Sequence, residues 1–316
     1  MKRMLLLMLA LALMLACNLP GGAPTAPEPE ATQPPPPPAT AIPATPPAGE
    51  PAPTLAAPAG AVLIDHTTTD LSRVPPEWLA AARALSLHYA HTSHGSQVLT
   101  GMEALQRANP ELRFTVQWGE APAPPRGGDA LFIYDGNDYG GDTYIVPEMY
   151  WAERDGLRHT AGVVETGYFD YSMWSWCGQQ SENDADTVQN YLEALDRLER
   201  EHPGTRFIYM TGHTDGSGTG GTLHRNNELV RQFARANGKI LYDFADIESF
   251  DPAGNAYPDT DDSCPWCRDW CRDHPEDCRD LPSSDDECAH SHGFNCVLKA
   301  RAFWWMMARL AGWDGG

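Results

Sequence analysis

The chain has 316 residues, 42% of them hydrophobic and 21% charged, and carries a formal net charge of −21. An acidic excess of that size repels phosphate backbones and anionic headgroups, which excludes nucleic acid and an anionic membrane surface as charge-driven partners.

Lys2 and Arg3 precede an apolar run over residues 4–16 that ends at Cys17. The run is too short to span a bilayer and has the architecture of a signal-peptide core. Leu13-Met14-Leu15-Ala16-Cys17 resembles a bacterial lipobox, with Met14 and Leu15 in place of the usual smaller residues. That resemblance implies cleavage before Cys17 and its acylation. At about 0.8 kcal/mol per buried methylene, several acyl chains would then hold the protein stably on the outer face of the cell membrane. The competing reading is an ordinary secretory signal with a chance cysteine. Residues 18–59 follow as a linker dominated by Pro, Ala and Thr, without lysine or arginine. Such a segment has no apolar surface to bury and predicts an extended, polyproline-rich tether. Residues 60–316 suit one domain, expected as a monomer.

Within that domain, strands are predicted over 84–90, 130–134, 169–176, 206–211 and 239–244. Helices are predicted over 96–108, around Val188, Tyr191, Leu192, Leu195 and Leu198, over 222–237, and over 297–310, the last apolar on most sides and hence buried. Asp184 or Asp186 caps the second of these helices, and His202-Pro203-Gly204 stops it. This alternation predicts an α/β sandwich with a largely parallel sheet. A cysteine-rich insertion occupies about 251–296. Its Cys264, Cys267, Cys271, Cys278, Cys288 and Cys296 are expected to form three bridges in an exported protein, with the pairing left open. Zinc at CPWC, 264–267, is the weaker reading because no second pair has matching spacing. Cys177 is left over, and is expected to be buried and inert.

Polar clusters fall at the carboxyl ends of the predicted strands: HTSHGSQ, DGND, CGQQ, TGHTDG and CAHSH. Ligands of open α/β sheets bind beyond those ends. Ser93 stands between a strand and a helix, where an exposed hydroxyl and helix N–H groups meet, and Gly95 allows a close turn. A serine nucleophile also needs a base, a group that orients the base, and oxyanion donors. His290 before the last helix supplies the base, with Glu287 three residues earlier to orient it. Asp286 and His292 are the runners-up for those two roles. Gly178, Gln179 and Gln180 offer a backbone N–H and two amides for the oxyanion, while Gly127, Gly128 and Gly136 compete as the second oxyanion glycine. His88 and His91 point to opposite faces of their strand, so the three histidines around Ser93 do not gather a metal. His91 and His94 instead border the serine and could shape the pocket or bind a substrate oxygen. His213 and Asp215 line the cleft, with a hydrogen-bonded turn as the alternative. Trp174, Trp176, Trp304 and Trp305 read as core. The acidic segment 251–264 has carboxylates enough for calcium but lacks the EF-hand pattern, so a solvated loop is preferred.

The order strand–Ser93–helix, strand–Gly178-Gln179-Gln180, strand–helix–strand, then His290 before a terminal helix resembles the SGNH (GDSL-type) hydrolases. The resemblance spans roughly residues 84–312 and implies a three-layer α/β/α, flavodoxin-like esterase. It implies Ser93 as nucleophile, His290 as base, and Gln180 or Gln179 in the place of the family's oxyanion asparagine. HTSHG stands where that family has Gly-Asp-Ser, and Glu287 where it has aspartate. The expected activity is cleavage of an O-acyl ester, carbohydrate-borne by preference, through an acyl-enzyme and without an organic cofactor. The rivals are a non-catalytic surface protein binding glycans or a partner, and a metal-binding protein using His91, His94, His213 and the acidic loop.

Overall fold

The computed structural model describes residues 60–125, 129–279, 281–282 and 288–316. Cys17, the 18–59 linker, Gly127, Gly128, Asp286 and Glu287 lie outside the described residues. Strands β1 (Val62–Ile64), β2 (Ser86–His91), β3 (Phe114–Trp118), β4 (Leu131–Asp135), β5 (Tyr171–Ser175), β6 (Arg206–Met210) and β7 (Ile240–Tyr242) form one sheet. Its order is β1-β7-β6-β5-β2-β4-β3, and every pairing is parallel. The helices are α1 (Pro76–Ala82), α2 (Ser96–Ala108), α3 (Arg154–Glu165), α4 (Ala185–Glu201), α5 (Thr222–Ala236), α6 (Phe244–Glu248), α7 (Pro265–Asp273) and α8 (Gly293–Leu310).

This is the α/β class expected, a three-layer sandwich. The central strands β2 and β5 are buried at every position, as a parallel sheet requires when helices cover both faces. Helix α8 packs on α1, α2, α6 and β1, whereas α4 and α5 pack on each other and on β6. Sixteen residues of α8 are buried, which explains a sequence apolar on most sides. Among the described residues no helix is long and apolar enough to cross a membrane. Asp184 takes the cap of α4, its side chain accepting from Thr187 N at 2.8 Å.

The six late cysteines form three bridges, Cys264–Cys267, Cys271–Cys278 and Cys288–Cys296. The CPWC pair is thus a disulfide. The last bridge ties the loop carrying His290 to the first turn of α8.

Helices α2 and α8 approach closely at Gly101, where a Cβ would run into the Cys296 carbonyl oxygen and sit 2.8 Å from Ala300 Cβ. Backbone cannot yield as a side-chain tip can. Gly101→Ala is therefore expected to cost about 1–3 kcal/mol by overpacking, read as a lower urea midpoint with an unchanged slope.

The sheet reverses direction of winding between β2 and β5. The chain leaves β2 for α2 on one face and leaves β5 for α4 on the other, and the two strands are neighbours in register, Leu87 opposite Tyr171 and His91 opposite Ser175. Their carboxyl ends flank the crevice where such sheets hold ligands.

Candidate active site

Beyond β2, Thr92 remains extended and donates its N–H to Ser175 O at 3.3 Å, and Ser93–Gly95 makes one tight turn into α2. Gly95 is required by close packing: a Cβ there would meet the His91 side chain and, at 2.8 Å, the Tyr89 hydroxyl, which donates to Gly95 O. Ser93 is held half-buried at the rim, with its Oγ 3.1 Å from His290 Nε2. The serine and the histidine, 197 residues apart in sequence, are thereby brought together.

His290 has a positive φ of 64°, uncommon for a residue with a side chain and more tolerated by histidine than by most. Its loop is fixed by the Cys288–Cys296 bridge, by Ser291 N donating to Cys288 O at 3.1 Å, and by Gln97 Nε2 donating to Ala289 O. Gln97 in turn accepts from Lys299, a buried side chain of α8. Partial burial, followed by the positive charge of His94, lowers the pKa of His290 against the pull of Asp262. A neutral ring with its proton on Nδ1 can accept the Ser93 proton at Nε2; the tautomer is inferred from that bond.

His94 stacks face to face on His213 at 3.7 Å and 1°, and on His290 at 4.7 Å and 22°. Its Nε2 lies 3.0 Å from Asp262 Oδ2. Burial works against charge on His94, but Asp262 and the Cys177 thiol outweigh it and raise its pKa. His213, lowered by burial and then by His94, is held neutral beside Gly178, with its Nδ1 2.7 Å from Thr214 O. His94 is thus the most readily protonated of the three stacked rings.

Cys177, which follows β5, is expected from sequence to be buried and inert. It is buried, but its sulfur lies 3.6 Å from Ser93 Oγ and 3.8 Å from Tyr144 OH. Burial alone would raise its pKa; His94, Ser93 and the Gly178 N–H together bring it down to about 6.

The remaining expected residues are scattered around this group. Gln179 Oε1 accepts from the Cys177 N–H at 2.8 Å, closing its own turn. Gln180 is fully buried against Gly212, and its Oε1 accepts from Asn183 at 3.1 Å. Its Nε2 is a buried donor without an acceptor. The Gly178 N–H is the oxyanion candidate that lies beside the reactive groups. His91 is tied down, Nδ1 to Thr92 O at 2.7 Å and Nε2 to Asp135 Oδ2 at 3.1 Å, and packs under Gly95. His88 is bonded to Ser172 Oγ and Gly136 O, and the Gly136 N–H, the group an oxyanion would need, donates to Tyr89 O at 3.3 Å. Asp215 accepts from Ser217 N at 2.9 Å, a turn within its own loop, and from Ser181 Oγ of the turn after β5 at 2.7 Å. His292 caps α8 through Phe294 N at 3.2 Å.

The donor atoms of His94, His213 and Asp262 lie within 4.8 Å of one another. A single ion would have to sit in the plane of both rings about 2 Å from each nitrogen, and planes parallel to 1° do not meet. One ring would have to turn before both could ligate. In the acidic segment, Asp251 is taken by Ala253 N, Asn255 N and Tyr257 OH, and Asp261 by Ser263 N.

Asp262 is the site residue that sequence reasoning missed. It sits in a run of acids with no periodicity, and only the fold carries that run to the end of β2. Family models, curated proteins and solved structures were all searched, and none matches this chain.

Proposed function

We propose that the chain is an SGNH-type serine ester hydrolase, carried outside the cell by a lipid on Cys17. The observation that carries the reading is the 3.1 Å approach of His290 Nε2 to Ser93 Oγ at the switch point of the sheet. His290 takes the Ser93 proton as the oxygen attacks the ester carbonyl. It returns the proton to the leaving alcohol, and water then resolves the acyl-enzyme with His290 again as base. The Gly178 N–H is suited to the developing oxyanion. Glu287 remains the expected orienting acid. Asp262, bonded to His94, is a described carboxylate whose charge reaches His290.

An O-acyl carbohydrate is the preferred substrate. Tyr144 at the site and Trp118 at the end of β3 are exposed large aromatics, and aromatic faces on a polar rim suit sugar rings. Turnover of p-nitrophenyl acetate and acetylated xylan by the wild-type chain, with the xylan turnover lost in Ser93→Ala, is the expected result. Wild-type protein that is folded and turns over neither would defeat the hydrolase reading.

The pH profile follows from the lowered pKa of His290. The base works only when neutral, and its pKa lies below the ordinary 6.5 of histidine, so activity should fall on acidification with a midpoint below about 6.5. A profile of kcat/KM from pH 4 to 8 checks this; an acid midpoint above about 7 contradicts it.

A further inference from the structure

Two nucleophiles, not one, face this crevice. Cys177 Sγ is 3.6 Å from Ser93 Oγ, yet the two have different histidines: Ser93 meets His290, while Cys177 meets His94. His94 is only 5% exposed, its Nε2 bonded to Asp262 and its Nδ1 buried without a hydrogen-bond partner. Charge on that ring and charge on the Cys177 sulfur favour each other. Nucleophile, base and an acid that orients the base form a recurring arrangement for covalent catalysis. It is assembled here from three separate segments: the end of β5, the turn after β2, and the acidic loop before α7.

We infer that Cys177, His94 and Asp262 form a second nucleophilic centre, able to take an acyl group from small activated esters independently of Ser93. The thiolate attacks the ester carbonyl, a carbon–sulfur bond forms, and the carbon–oxygen bond to the alcohol breaks. The His94 imidazolium gives its proton to the departing alkoxide. Water attacks the thioester, the neutral His94 accepts its proton, and the carboxylic acid leaves as the Cys177 thiolate is regenerated. Asp262 acts as a positioning residue through His94. Among the described residues the groups facing the sulfur include Ser93, His94, the Tyr144 hydroxyl and the Gly178 N–H, and the lowered thiol pKa agrees with that company.

The inference stands apart from the serine reading, and the test separates them. The full-length Ser93→Ala chain is incubated with p-nitrophenyl acetate at pH 6.5, and acetylation is mapped by peptide mass spectrometry. A thioester on Cys177, abolished in Ser93→Ala/His94→Gln, is the expected result; folded Ser93→Ala without acetyl on Cys177 overturns it. Should Ser93→Ala fail to fold, iodoacetamide on the wild-type chain serves instead. A thiol of pKa about 6 is largely ionised at pH 6.5, and its lower intrinsic nucleophilicity offsets part of that gain. Alkylation about tenfold faster than free cysteine is therefore expected, and a rate no faster than free cysteine overturns the inference. Asp262→Asn should move the pH midpoint of alkylation upward in protein that remains folded, a shift that a purely structural role would not produce.

Discussion

His290→Ala is expected to lower kcat for an ester substrate by about a thousandfold, and Ser93→Ala by at least as much. General-base transfer contributes about a hundred- to ten-thousandfold, and the 3.1 Å contact places His290 Nε2 where that transfer occurs. The two side chains act as a unit, so the double variant should be little slower than Ser93→Ala alone. Steady-state kinetics on the three variants checks both statements. Additive losses would mean that His290 does not work through Ser93. A loss below about tenfold in His290→Ala would pass the base to His292, whose Nδ1 accepts from Phe294 N.

The second large effect concerns stability. Lys299 Nζ lies 2.6 Å from Glu248 Oε1, and both side chains are fully buried. Glu248 also accepts from Thr214 N at 2.6 Å and from Thr214 Oγ1 at 2.9 Å, while Lys299 donates to Gln97 and covers the Phe244 ring at 3.9 Å. Desolvation lowers the lysine pKa, and Glu248 opposes that shift. Lys299→Met would leave a buried carboxylate without its counter-charge, at a cost of about 3–5 kcal/mol. Glu248→Gln in the same chain removes the orphaned charge while keeping an acceptor for Thr214, and should recover part of the loss. Urea unfolding of the single and double variants measures it. A loss below about 1 kcal/mol in Lys299→Met would contradict the arrangement. Because Gln97 links Lys299 to Ala289 O beside His290, the single variant should also slow turnover.

Much of the fold was legible because long buried elements repeat their pattern. The strand expected at 130–134 is β4 at Leu131–Asp135, and the helix at 96–108 is α2 over the same span. The elements that escaped lack such a pattern. Strand β1 has three residues, and β3 is an edge strand with only its first residue buried. Helix α3 buries Gly156, Thr160, Val163 and Val164, two of them not apolar, so its inner face does not stand out from sequence.

At the site, Ser93 and His290 were legible from their places beside predicted elements, since a serine after a strand and a histidine before the last helix are local features. His94 bordered the serine, but its partner Asp262 is 168 residues away, and nothing local marks one acid in DTDD as the one that turns inward. Cys177 read as a small hydrophobe because burial was all that its neighbours in sequence could signal. The His94 ring and the Ser93 hydroxyl beside it arrive from the turn after β2.

The central claim is that Ser93 is a nucleophile activated by His290. Labelling of the folded wild-type chain with a fluorophosphonate probe at pH 7.5, mapped by peptide mass spectrometry, tests it most directly. The expected result is a single adduct on Ser93 that disappears in Ser93→Ala and forms far more slowly in His290→Ala. Folded protein that carries no adduct on Ser93, or that labels equally well without His290, would contradict it.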